Sequence, residues 1–204
     1  MPTNLSTIRE IRLRMRVKDV KHSVYFRLKA LPWHTSYLAA MWILCGELQS
    51  LYADWIDADQ IPLMTSTMDL VREVITVGES LQAGPRAAEL TEAWGEVISA
   101  REDQEGSDPG LLNALATFEA LAQEIAGLSG KHDAANWAMN AAEDRWRNWD
   151  QPGPILVNRD QEVDDSSPMA QTLELFGRVA SEVTAMQGPD WDPVRVRTQI
   201  FGQR

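Results

Sequence analysis

A chain of 204 residues with 44% hydrophobic content is large enough to bury one sizeable core, which excludes global disorder and fits a single domain. Its formal charge of −11 disfavours indiscriminate binding to nucleic acid or anionic lipid and suits a basic partner. The charge is polarised: residues 1–30 carry eight basic against two acidic side chains, a net +6 that leaves −17 for the rest.

Taken in chain order, Ile11 to Lys18 alternates apolar and basic residues, the period of a half-buried strand, with Arg12, Arg14 and Arg16 on one face. One long basic helix over residues 6–31 is the alternative, using Ile8, Ile11 and Met15. Val20, Val24, Leu28 and Leu31 then share a helical face that Pro32 ends. From about Thr35 to Trp55 the apolar residues Leu38, Met41, Trp42, Cys45, Leu48 and Tyr52 recur at three- and four-residue steps, predicting an amphipathic helix. Pro62 interrupts, and Ser66 with Asp69 resembles a capping box that opens a third helix through Val71, Val74 and Ile75 to Gly78.

Gly84-Pro85 restarts the chain for a helix facing inward through Leu90, Trp94, Val97 and Ile98. Asp108-Pro109 pairs a cap with a first-turn proline ahead of Leu111, Leu115, Phe118, Ala122 and Ile125, and the Gly127–Gly130 stretch closes that helix. The cleanest stripe follows in Ala135, Met139, Ala142, Trp146 and Trp149. Pro152-Gly-Pro154 begins an acidic loop, and Ser167-Pro168 starts a last helix through Met169, Leu173, Phe176, Ala180, Val183 and Met186. Beyond Gly188-Pro189, Val194 to Ile200 alternates like a strand, with Asp192-Pro193 as the turn before it.

These elements predict a mainly α, single-domain bundle of six or seven helices over residues 1–204. It would carry a basic segment at 1–19, an acidic loop at 150–167 and an extension at 188–204. The two alternating segments invite pairing in a small ribbon that joins the termini. Arg195 and Arg197 would then lie on the same face as Arg12, Arg14 and Arg16. Like charges opposite one another destabilise a sheet, so this face calls for acidic neighbours in the Asp160–Asp165 loop or in a partner.

The run Leu28-Lys-Ala-Leu31, then Trp33-His34, then the helix through Ala39, Cys45-Gly46-Glu47 and Tyr52 resembles the opening of a bacterial helical family, domain of unknown function 416. Met68-Asp69-Leu70 resembles the family's Leu-Asp pair, and Leu111–Leu128 with Ala134–Trp149 its helical hairpin. The resemblance spans about residues 28–150 and stops at both ends. It implies an all-helical fold and no particular chemistry.

Catalytic, metal and cofactor motifs are not found. His22, His34 and His132 lack the Glu-x-x-His spacing of bundle metal sites, and Asp19-x-x-His22 is the nearest approach. Cys45 is the only cysteine, which rules out an internal disulfide and Cys-rich zinc sites, and its place on an apolar stripe suits a small hydrophobe. A Cys45 pairing with His34 or His132 is geometrically conceivable. Gly130-Lys131-His132 lacks the rest of a phosphate-binding loop. No apolar run long enough to span a bilayer follows the basic N-terminus, so a cytoplasmic location without membrane attachment is expected.

What remains is a protein-binding module without catalysis, most concretely an immunity- or antitoxin-like inhibitor of a basic protein, with nucleic acid disfavoured as partner. The candidate contact residues are Asp57, Asp59, Asp160, Glu162, Asp164 and Asp165, with the arginines Arg12, Arg14, Arg16, Arg195 and Arg197 as a second surface. Trp33, Trp55 and Trp191 at element ends are candidate anchors against a default of packing. The alternatives are a small-molecule or enzymatic site lined by Met41, Trp42, Met139 and Trp146, or a subunit that docks by its arginine edge. Oligomeric state stays open.

Overall fold

The structure, a computed structural model, describes residues 14–77, 82–104, 106–146, 162–164 and 167–185, with 192, 194, 195, 197 and 198. Seven α-helices stand among the described residues, as the spacing predicts: α1 (Val17–Lys29), α2 (Leu38–Leu51), α3 (Ile61–Val77), α4 (Ala83–Glu102), α5 (Pro109–Ala126), α6 (Asp133–Asp144) and α7 (Pro168–Ala185). Two three-residue strands, β1 (Arg14–Arg16) and β2 (Glu162–Asp164), complete the fold. α5 lies against both α4 and α6, α3 against α2 and α4, and α1 pairs with α7. α2 touches α3, α5, α6 and α7.

That central position follows from composition. The predicted amphipathic helix is in fact apolar nearly all round, with Leu38 to Met41, Ile43 to Gly46 and Leu48 buried. A helix with so narrow a polar face is stable only when neighbours cover most of it. Ahead of it, Trp33–Tyr37 makes a single π-type turn in which the Tyr37 N–H donates to the Pro32 carbonyl at 3.0 Å. The turn brings Trp33, Ser36 and Tyr37 inward together.

Element ends follow the local chemistry. The Asp108 carboxylate caps α5 by accepting from Leu111 N at 2.8 Å, and Gly127 ends the helix at φ +72°, where a side chain would be strained. Ser167 Oγ accepts from Ala170 N at 3.1 Å to open α7. α3 starts earlier than the Ser66 reading, because Pro62 sits in its first turn, where a missing N–H costs nothing.

Among the described residues the ribbon between the chain ends is not seen. β1 instead pairs antiparallel with β2, placing Arg14 opposite Asp164 and Arg16 opposite Glu162. Opposite charges at facing positions favour this register, whereas two arginine rows would have repelled. At the C-terminal end, residues 194, 195, 197 and 198 have helical backbone. The Asp192 carboxylate accepts from Val194 N at 3.0 Å, and Thr198 Oγ1 donates to the Val194 carbonyl at 2.9 Å. Alternation over seven residues is too short to fix a strand against such local bonds.

Candidate partner-binding surface

Chemistry-bearing groups inside the bundle satisfy one another. Glu124 of α5, 3% exposed, accepts from Trp33 Nε1 at 3.1 Å, Tyr37 Oη at 3.0 Å and Ala134 N at 2.7 Å. Its carboxylate thereby caps the first turn of α6 and ties the π-turn to α5. Burial raises the Glu124 carboxyl above the usual carboxylate range, with the Ala134, Trp33, His132 and Tyr37 donors pulling against it. His132 adopts φ +77° in the turn before α6 and sets its ring edge-on to Tyr37, centroids 4.4 Å apart. Lys131 covers the outer Trp33 ring at 4.6 Å.

Cys45 lies near this cluster but is wholly buried, and burial with the Glu124 charge pushes its thiol far up. A thiol so held does not supply a thiolate at neutral pH. His34 stands exposed on the π-turn with its ring against Trp33. Among the described residues, no group of three or more His, Cys, Asp or Glu is arranged to hold a metal ion. Met41 and Met139 are fully buried, Trp42 is half-buried and Trp146 is at the surface, so these four are spread from core to solvent. Trp33, read as a candidate anchor, is instead buried on Glu124.

The surface is more informative. Tyr52 ends α2, and the turn after it, closed by Trp55 N to Tyr52 O at 2.9 Å, turns the Trp55 indole outward. Arg145, one residue past α6, donates from Nε to the Leu51 carbonyl at 3.0 Å. This fixes its guanidinium carbon 4.4 Å from the Trp55 ring centre, 5.4 Å from that of Trp146 and 5.8 Å from that of Tyr52. Trp146 Nε1 donates to Thr172 Oγ1 of α7 at 2.9 Å. Trp55 and Trp146 remain 39% and 40% exposed. One arginine thus holds two half-open indoles through cation–π contacts.

Asp54, Asp57 and Asp59 are exposed on the same connection. Asp57 pairs with Arg101 of α4, which also reaches the Trp55 carbonyl at 3.4 Å. Gln60, buried, accepts from the Asp57 N–H at 3.2 Å and gives the segment a fixed shape. Of the predicted contact residues, Asp57 is therefore held near Trp55, and Asp59 is exposed two residues further along the same connection. Glu162 and Asp164 sit elsewhere, in the ladder with Arg16 and Arg14, while Arg195 and Arg197 lie on the C-terminal helical turn. Arg12, Asp160, Asp165 and Trp191 fall outside the described residues.

Sequence reading missed Arg145 and assigned Trp146 to the core, since the stripe of α6 extends in register past the helix's end at Asp144. It also missed Glu124. The signal available there was position: Glu124 falls between the half-exposed side of Glu119 and Gln123 and the buried side of Leu121 and Ile125.

Comparison of the chain with protein-family models, curated proteins and solved structures returns no match. Among the described residues no helix is long and apolar enough to cross a membrane.

Proposed function

We propose that this chain is a non-catalytic, cytoplasmic protein-binding module that docks a basic protein, in the manner of an immunity or antitoxin inhibitor. The observation that carries the reading is the Trp55–Arg145–Trp146 cluster, with Asp54, Asp57 and Asp59 exposed on the connection that carries Trp55. Tryptophan and arginine dominate the energetics of protein interfaces, because a large, rigid side chain gains contact area at little conformational cost. Carboxylates around such an anchor accelerate encounter with a basic partner and select against acidic ones. An overall charge of −11 acts in the same direction.

Co-expression with a basic, growth-inhibiting protein encoded beside this chain should restore growth and yield an isolable complex. Trp55→Ala and Trp146→Ala should each weaken that complex by about 2 kcal/mol, roughly thirty-fold. Asp59→Lys should mainly slow association at low salt. Failure to form a complex or to restore growth rejects the reading.

A further inference from the structure

Gly46 occupies the middle of α2, where glycine is a poor choice because it leaves backbone freedom to be lost on folding. Its place is explained by what lies over it. A Cβ at residue 46 would meet Arg197 Cζ at 3.0 Å and the two Nη atoms at 3.2 and 3.3 Å, and these are its three nearest neighbours. The guanidinium therefore lies across the gap left by the absent side chain. One Nη points at the Gly46 carbonyl at 3.5 Å and stands 3.6 Å from Glu47 Oε1. Shape, a backbone acceptor and a carboxylate converge on one planar cation.

The occupant is loosely held. The Arg197 side chain is 37% exposed, both polar distances are long, and a solvent-accessible ion pair adds little to stability. We infer that the Gly46–Glu47 notch is an arginine-binding site on α2, filled by Arg197 in the free chain and taken over by an arginine of the bound basic partner. Arg197 then acts as an internal competitor, and its release is part of docking. Lysine fits less well, because a compact ammonium does not reproduce the flat contact of a guanidinium across a bare stretch of helix. The identity of the displacing group rests on the proposed basic partner, but the notch's preference does not.

The test uses the full chain and N-acetyl-argininamide as probe, followed through the amide resonances of residues 46 and 47. Arg197→Ala should respond to the probe at a concentration at least five-fold lower than the unaltered chain, and N-acetyl-lysinamide should have no comparable effect. Adding Gly46→Ala to Arg197→Ala should abolish the response, and alanine is well tolerated within a helix. Equal responses of Arg197→Ala and the unaltered chain overturn the inference. So does equal binding of the lysine probe, or a response that survives in the double variant Gly46→Ala, Arg197→Ala. Because no partner protein enters this measurement, its failure leaves the co-expression result standing, and the reverse holds too.

Discussion

Glu124→Ala is expected to destabilise the fold by roughly 3–5 kcal/mol, a large share of the 5–15 kcal/mol that holds a typical domain. The cost comes from what the carboxylate leaves behind rather than from its own burial. Trp33 Nε1, Tyr37 Oη and Ala134 N all donate to it inside the core. Each donor stranded away from water costs about 1–3 kcal/mol, and the three losses are not fully additive because they share one cavity. Urea unfolding of the variant beside the unaltered chain measures this directly, and a difference below about 1 kcal/mol would show that the cage is not structural. Glu124→Gln should be milder, at about 1–2 kcal/mol. Its amide oxygen can take the Tyr37 and Ala134 bonds, but its NH2 then faces the Trp33 N–H.

The same group sets a pH dependence. Burial raises the carboxyl of Glu124, and it is also the leading cause at Asp144 and Glu119. Each holds its proton to higher pH in the folded chain than in the unfolded one. Their contribution to stability is therefore fully present below the unfolded carboxyl value of about 4 and is lost as pH rises through the folded values. Stability should decline as pH rises over that window, and Glu124→Gln should flatten the decline. The groups facing Glu124 from neighbouring elements are Trp33, Tyr37, Cys45 and the Ala134 and His132 backbone, and of these only the phenol and thiol can titrate, both themselves pushed upward. Neither competes for the proton in the acid range. Identical slopes for the two proteins would remove Glu124 as the source.

Most of the helices were legible because burial repeats locally. Leu111, Leu115 and Phe118 are all buried, as their spacing requires, and the Asp108 cap sits where Asp-Pro placed it. What the sequence obscured depends on distant residues. An alternating segment announces a strand but not its mate, and β1 found Glu162–Asp164 rather than the C-terminal arginines. Periodicity equally does not show where a helix stops, so Trp146 read as core although it lies beyond α6 at the surface. Asp57 and Asp59 were visible as acids, while the aromatic cluster near Asp57 needed α2 and α6 to end side by side. The Gly46 notch was invisible for the same reason, since its filling group comes from the far end of the chain.

Gly110→Ala is expected to cost about 3 kcal/mol, lowering the melting temperature by roughly 6–12 °C for a chain of this size. A Cβ there would land on Tyr52 Oη well inside contact distance, with Asp108 Oδ1 at 3.0 Å and Asp144 Cβ at 3.2 Å. None of the three can yield cheaply. Tyr52 is buried and donates from Oη to the Ala141 carbonyl at 2.7 Å, Asp108 caps α5, and Asp144 accepts from Asn113 Nδ2 at 2.7 Å. Displacing Tyr52 also loosens the ring that Arg145 covers, which links this core contact to the Trp55–Trp146 surface. Tyr52→Phe removes the obstructing oxygen at the expense of one hydrogen bond, about 1 kcal/mol. Combining it with Gly110→Ala should therefore cost less than the sum of the two single changes by at least about 1 kcal/mol. Simple additivity in that cycle would mean that the glycine is not there to admit the tyrosine hydroxyl.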